Sequence, residues 1–294
     1  MRATVRAELG AALGASVAQV RALSGGDIND AWRVTLSDGR AVFVKTHDGA
    51  EADMFPLEAE GLAWLAEANA IRTPRVLAAS ASYLALELIE PGRRTPDFAE
   101  RLGRELAALH RFGAEPLRAR EARASQRFGW REDNFIASLR QDNTCEEDWP
   151  SFYARRRLEP MLRRASERGL ASAAMTKGFD RLFAKIEELA GPAEPPSRLH
   201  GDLWGGNCHV GEDGAPVLID PAVYGGHREM DLAMMQLFGG FAQRTFDAYH
   251  EAWPLAPGWR ERTPPYQLYP LLVHVVLFGG SYVGAVERAL DACV

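Results

Sequence analysis

Two carboxylates and one amide stand close together in the last third of this 294-residue chain, in an order that suits transfer of a phosphoryl group. His200-Gly201-Asp202-Leu203-Trp204-Gly205-Gly206-Asn207 is followed by Val217-Leu218-Ile219-Asp220. An Asp can accept the proton of an attacking hydroxyl or orient it. An Asn and a further Asp supply hard oxygen donors for Mg²⁺, which takes few protein ligands because nucleotide phosphates and water fill the rest. Asn207 lies five residues after Asp202, and Asp220 thirteen after Asn207, room for a strand, a turn and a second strand. Each residue alone has a plainer reading. Asp202 reads as a turn or cap residue, Asn207 as a turn residue beside Gly206, and Asp220 as a strand-end cap before Pro221. The three in register point to chemistry.

The spacing is similar to the H-R-D-L-x-x-x-N of protein kinases, and Asp220-Pro221-Ala222 stands where those enzymes carry D-F-G. With no Phe there, activation-loop control is not expected. The nucleotide half of such a site needs a cation. Lysine is scarce, with Lys45, Lys177 and Lys185 against 31 Arg, and Lys45 ends Val42-Phe43-Val44-Lys45, a context like the kinase V-A-I-K. Its ammonium is expected on the α/β-phosphates, oriented by Glu58 on the following helix. Glu60 is the alternative partner, but positions i and i+2 of a helix do not face the same way. Ser24-Gly25-Gly26 is expected to cover the phosphates with backbone N–H groups. It is not a full G-x-G-x-x-G, and no Walker A pattern occurs. Glu87-Leu88-Ile89 is expected as the hinge whose backbone meets the adenine edge. His200 reads as a buttress of the catalytic loop. Asp231 opens a helix, with an N-cap as its plain role and bonds from the catalytic-loop backbone as the other.

These residues require elements to hold them. An Ala-rich amphipathic helix begins the chain. Strands are expected over residues 29–36, 41–45, 76–79 and 83–89, with a helix over 54–68 between them. Ser37-Asp38-Gly39-Arg40 is a hairpin turn. Glu90-Pro91-Gly92 breaks the pattern, and helices follow. One starts at a Thr95 cap with Pro96 first and runs to about 110, and others span about 149–168 and 172–189. A short strand pair surrounds the catalytic motif, and at least three helices close the chain from 229 onward. Strands gathered before helices predict an α+β class with two lobes: an N-terminal antiparallel-sheet lobe at 1–90 that binds nucleotide, and a mainly helical catalytic and substrate lobe at 91–294.

Composition agrees with a soluble globular protein, at 47% apolar and 25% charged residues. A net charge of −6 argues against a nucleic-acid partner. Arginines cluster between Arg93 and Arg131, interleaved with Glu100, Glu105, Glu115 and Glu121, and again at Arg155, Arg156 and Arg157, and most of them read as solvated helix faces. No apolar run is long enough for a membrane span, and the N-terminus is too weakly apolar for a signal peptide. Cys145, Cys208 and Cys293 are odd in number and show no zinc spacing, which fits a reducing cytoplasm.

Longer segments narrow the reading. Met54-Phe55-Pro56-Leu57-Glu58-Ala59-Glu60-Gly61-Leu62, Phe128-Gly129-Trp130-Arg131-Glu132-Asp133-Asn134-Phe135-Ile136, and Trp149-Pro150-Ser151-Phe152-Tyr153 with Arg157-Leu158 accompany the H-G-D-L-W-x-G-N loop. Asp220-Pro221-Ala222-Val223-Tyr224 and His227-Arg228-Glu229-Met230-Asp231-Leu232-Ala233 complete the set. Together they resemble the fructosamine/ketosamine-3-kinase family, relatives of aminoglycoside phosphotransferases and choline kinases within the kinase-like fold. Trp204 is the discriminating mark. The resemblance implies ATP- and Mg²⁺-dependent phosphorylation of the sugar 3-hydroxyl of ketosamines (fructosamine, ribulosamine or erythrulosamine adducts, free or protein-bound), which leads to deglycation. It implies Asp202 as the catalytic residue, Asn207 and Asp220 as metal ligands, and Lys45 and Glu58 as phosphate-positioning residues. Trp204, Tyr224, His227, Asp133 and Asn134 are implied at the substrate. A monomer is expected, with a homodimer as the alternative. Three positions depart from the pattern: Gly205 for Ser, Gly225 for a second Tyr, and Ala137 for Gly. Loss of the second Tyr predicts a wider sugar pocket. The competing readings are a kinase of another small-molecule hydroxyl (aminoglycoside, choline or homoserine) and a nucleotide-binding pseudokinase.

Overall fold

A computed structural model describes residues 1–23, 29–114 and 127–293. Its first part is built from α1 (Ala3–Leu13), β1 (Val17–Leu23), β2 (Asp30–Leu36), β3 (Ala41–Thr46), α2 (Met54–Ala66), β4 (Val76–Ser80) and β5 (Tyr83–Glu87). The strands form one antiparallel sheet in the order β1-β2-β3-β5-β4. The hairpin of β2 and β3 closes at Asp38-Gly39, where Gly39 takes φ +86° and the Asp38 carboxylate accepts the Arg40 N–H at 3.0 Å. Val34, Leu36, Val42 and Val44 alternate onto the face that α1 covers with Val5 and Leu9. β1 escapes the strand pattern because its apolar residues Val17, Val20 and Leu23 are spaced by three, and all are only half-buried on an edge.

The helix α2 lies between this sheet and the rest of the chain. Phe55 and Leu62 pack on Leu84 and Leu86, while Leu57 and Leu65 join the large core of the second part. Three arginines from beyond residue 127 hold the helix. Arg140 reaches Glu51 and Asp53, each at 2.8 Å; Arg131 pairs with Glu60; and Arg198 pairs with Glu67 at 3.1 Å and donates to the Trp64 carbonyl. Gly61 lets Val223 approach so closely that a Cβ there would meet it at 3.2 Å.

The remainder is mainly helical, as the sequence predicts. α3 (Phe98–Ala114) starts later than the Thr95-Pro96 signal, because residues 95–98 close a turn in which the Phe98 N–H donates to the Thr95 carbonyl. A hairpin of β6 (Asn134–Ile136) and β7 (Leu139–Gln141) follows, which the sequence reading did not include. The helix expected over 149–168 is continuous but changes pitch. α4 (Trp149–Phe152) passes through a π-helical segment at Tyr153–Leu158 into α5 (Glu159–Glu167). Pro160 explains this, since it has no N–H for the Arg156 carbonyl and its ring crowds that carbonyl in a regular α-helix. The Arg157 guanidinium takes the freed carbonyl at 3.0 Å. The helix expected over 172–189 is two pieces, α6 (Ala173–Phe183), capped by the Ser172 hydroxyl, and α7 (Ile186–Leu189).

Four short strands then bracket the catalytic motif. β8 (Ser197–Leu199) pairs with β11 (Tyr224–Gly226), and between them β9 (Cys208–Val210) pairs with β10 (Pro216–Leu218). α8 (Glu229–Leu237), α9 (Gln243–Ala252), α10 (Thr263–Phe278) and α11 (Val283–Asp291) close the chain. No helix among the described residues is long and apolar enough to cross a membrane.

Candidate active site

The segment between β8 and β9 carries Asp202, and the turn after β10 carries Asp220. Their backbones are tied together. The Ala222 N–H donates to the His200 carbonyl at 2.9 Å, and the Ile219 N–H to the Asn207 carbonyl at 3.0 Å. Gly201 permits this at φ +84°, because a Cβ there would strike the Ala222 carbonyl at 2.0 Å. His200 is fully buried. Its Nε2–H donates to the Ile219 carbonyl at 2.9 Å while Nδ1 accepts from the Asp202 N–H at 3.3 Å. That pair of bonds selects the neutral tautomer, and burial lowers the ring's pKa. Asp231, in the first turn of α8 rather than at its cap, accepts from the His200 N–H at 2.8 Å and the Gly201 N–H at 2.9 Å. Burial works to raise its pKa, but hydrogen bonds from His110 and the loop overcome it and keep the carboxyl below its ordinary range.

Asn207 ends a single 3₁₀ turn. Its amide nitrogen donates to the Asp202 carbonyl at 2.8 Å and to Asp202 Oδ2 at 3.2 Å. The amide oxygen is then the atom left for a cation, and with the Asp220 carboxylate it makes a hard, oxygen-only donor pair of the kind Mg²⁺ takes. The residues present therefore fit such an ion. Burial first, and then the like charge of Asp220, push the Asp202 carboxyl up to about 7, against the lowering from Asn207.

Lys45, 4% exposed, projects from β3 into the same place. Its Nζ lies 2.7 Å from Glu58 Oε1 and 2.6 Å from Asp220 Oδ1. Burial alone lowers a lysine's pKa, but the two carboxylates overcome it and hold this ammonium protonated well above its ordinary range. So β3, α2 and the turn after β10 converge on one ion-paired centre, with Asp202 and Asn207 hydrogen-bonded beside it. Glu60, two residues from Glu58, instead faces outward to Arg131. Glu87 accepts from Arg72 at 3.1 Å at the end of β5, and half-buried Leu88 and Ile89 follow it into the second part of the chain. Gly25 and Gly26 lie outside the described residues.

The residues implied at the substrate separate into two groups. Trp204 is 42% exposed, and its indole covers Gly206. Three others are corrected by the structure. Tyr224 and His227 are 0% and 1% exposed, and Asn134 spends its amide on the Val223 carbonyl at 2.9 Å and on accepting from Gln141 and Asn143. These side chains point into the core, so none of them presents a face to a sugar. Asp133 is exposed but accepts from the Asn143 N–H at 2.8 Å, an internal loop contact. Gly225 also lines no open pocket: it exchanges backbone hydrogen bonds with Gly129 at 2.7 and 2.8 Å, so its lack of a side chain does not widen a cavity there.

Sequence reasoning missed a buried polar network behind the site. Arg157, in a cluster that reads from the sequence as a solvated face, is instead 0% exposed and has no carboxylate partner among the described residues; it donates to Asn143 Oδ1 at 2.7 Å and to the Asp142 carbonyl, and lies over the Tyr224 ring at 3.9 Å. Gln141 accepts from the Tyr269 hydroxyl at 2.7 Å and donates to the Ala222 carbonyl at 3.2 Å. The network thus ends on the backbone just after Asp220. His110, bonded to Asp231 at 3.1 Å and to Tyr249 at 2.8 Å, was missed as well.

With this geometry in view, the relatives are informative. The sequence profile of the fructosamine kinase family matches residues 1–294. The chain belongs to the fructosamine kinase family. A protein of Synechocystis named as a probable ketoamine kinase is 38% identical over 280 residues, covering 93% of this chain and 90% of the relative. A solved structure described as a fructosamine-3-kinase, from Thermobifida fusca, is 41% identical with a TM-score of 0.88, covering 99% of this chain and 98% of that one. A choline kinase of Streptococcus pneumoniae, 16% identical at a TM-score of 0.65 over 99% and 97% of the two chains, shares the fold. The protein is therefore an enzyme, a kinase with the protein-kinase-like fold.

Proposed function

We propose that this kinase transfers the γ-phosphoryl group of ATP to the 3-hydroxyl of a ketosamine. The observation that carries the reading is the single centre in which Lys45 meets both Glu58 and Asp220, with Asp202 and Asn207 bonded to each other beside it. Residues 1–90 form the nucleotide-binding lobe in this proposal and residues 91–294 the catalytic one. Lys45, held by Glu58, binds the α/β-phosphates, and the backbone of Glu87, Leu88 and Ile89 meets the adenine edge. Asn207 and Asp220 hold Mg²⁺, which when bound neutralises phosphate charge. Asp202 orients the sugar hydroxyl and takes its proton as the new O–P bond forms and the bond from the γ-phosphorus to the β–γ bridging oxygen breaks, releasing ADP. Trp204 supplies an exposed ring beside the acceptor. The resulting 3-phosphate breaks down and frees the amine, which makes deglycation the outcome. Three unpaired cysteines suit a cytoplasmic enzyme.

The test is a coupled assay with ribulosamine, fructosamine, erythrulosamine, an aminoglycoside and choline. Turnover of a ketosamine is expected, with kcat falling by about 10²–10⁴ in Asp202→Ala. Turnover of choline or the aminoglycoside alone would overturn the acceptor. An Asp202→Ala enzyme within a few-fold of wild type would overturn the role of Asp202.

A further inference from the structure

Three large apolar side chains stand out to solvent among the described residues: Trp204, Phe238 and Phe278, at 42%, 38% and 48% exposure. They come from three separate segments, and two of them, Phe238 and Phe278, meet in one cluster. Phe238 ends α8 and Phe278 ends α10, and both rings pack on His274, with centroids at 4.6 and 5.4 Å. Tyr282 packs on the same imidazole at 4.9 Å. The glycines after Phe238 join this cluster to the catalytic loop. A Cβ on Gly205 would meet the Gly239 carbonyl at 3.3 Å and the Gly240 Cα at 3.4 Å. The aromatic cluster at the ends of α8 and α10 therefore adjoins the backbone of the loop that carries Trp204, which stands two residues past Asp202.

His274 does not make this surface cationic. Its Nδ1–H donates to the Pro270 carbonyl at 2.8 Å, and burial lowers its pKa. The rings are neutral; their faces attract a cation, and the surface as a whole rewards apolar contact. Three half-exposed rings are too few to seat a second copy of the chain, since a stable interface covers roughly 800 Å² per partner. They match a ligand of a few atoms' width that enters beside Asp202. A ketosamine has such a part, because its secondary amine is an ammonium at neutral pH and carries the substituent of the parent amine.

We propose that Phe238, Phe278 and Tyr282 form a shelf, next to the loop that carries Trp204, that receives the amine substituent of the acceptor and selects adducts whose substituent is an alkyl chain. The inference rests on the ketosamine reading above and adds specificity-determining residues to it. A longer chain covers more of the shelf, and a chain too short to reach Phe278 loses that contact.

The test compares the N-ethyl and N-hexyl adducts of ribulosamine by calorimetric binding, with phosphorylation measured on the same samples. Four added methylenes on a half-open surface are expected to tighten binding about tenfold. Phe238→Ala and Phe278→Ala are each expected to shrink that ratio to about threefold or less, with melting temperatures near wild type because both rings are half-exposed. Equal binding of the two adducts, or an undiminished ratio in both variants, would overturn the shelf. So would light scattering that shows a wild-type dimer broken by the variants, which assigns the patch to self-association. A tenfold ratio with no phosphorylation of either adduct would support the shelf and count against the 3-kinase reading instead.

Discussion

Asp220 holds φ +56°, a left-handed backbone that few non-glycine residues adopt. Its carboxylate faces Lys45, and the following residues are held at the Ala222 and Val223 carbonyls by Gln141 and Asn134, so the surrounding bonds keep the strained residue in place. Ala137 takes the same φ +56° in the turn of the β6–β7 hairpin, with no charged partner to hold it. An alanine in that backbone conformation carries a cost that a glycine would not. Ala137→Gly is expected to stabilise the protein by about 1 kcal/mol, read as a rise in urea midpoint at unchanged slope. Lys45→Met is expected to lower kcat/KM for ATP by at least about 10² while leaving ketosamine binding within a few-fold, measured by calorimetry without nucleotide. At this scale the sequence made the meeting of these side chains legible: Asp202, Asn207 and Asp220 by their intervals, and Lys45 by its isolation among arginines. Tyr224, His227 and Asn134 were misplaced because a motif does not say which side of the chain faces the core.

At the scale of elements, the π-helical segment is the part no local pattern announces. Pro160 alone reads as a helix stop, yet the helix continues because the widened turn removes the clash and Arg157 takes the orphaned carbonyl. The same guanidinium holds Asn143, the Asp142 carbonyl and three ring faces. Arg157→Ala is expected to cost about 3 kcal/mol, because it leaves buried acceptors unpaired and a cavity behind. Arg157→Met, which keeps the volume, is expected to cost less, and denaturant unfolding of the two would separate packing from hydrogen bonding. The long helices and the alternating strands were legible from periodicity. β1 was not, because its apolar residues repeat by three. The β8–β11 pair was not, because strands of three residues carry no period and their partners are 25 or more residues apart. The network of Arg157, Asn143, Gln141 and Tyr269 joins segments more than a hundred residues apart, which only the tertiary structure brings together.

For the whole molecule, stability is tied to pH through His227. It is buried against the rings of Trp149 and Tyr266, with Glu194 at 3.9 Å and Arg228 and Arg262 nearby, and burial lowers its pKa to about 4 from 6.5 against the pull of Glu194. The unfolded chain takes up a proton below pH 6.5 that the folded one refuses until about 4, so stability falls as pH drops through that window. The loss between pH 7 and pH 5 is expected to be about 2 kcal/mol from this group, seen as a lower melting temperature at pH 5, and His227→Gln is expected to flatten that dependence. The other whole-molecule feature is the set of arginines at 131, 140 and 198 that fasten α2 to the second part of the chain, with Lys45 and Glu58 already in contact at 2.7 Å. A compound that binds by pushing α2 aside would have to break all three attachments to open a pocket here. Compounds against this enzyme would gain more by reaching outward from the nucleotide toward the aromatic shelf, where the surface is already open.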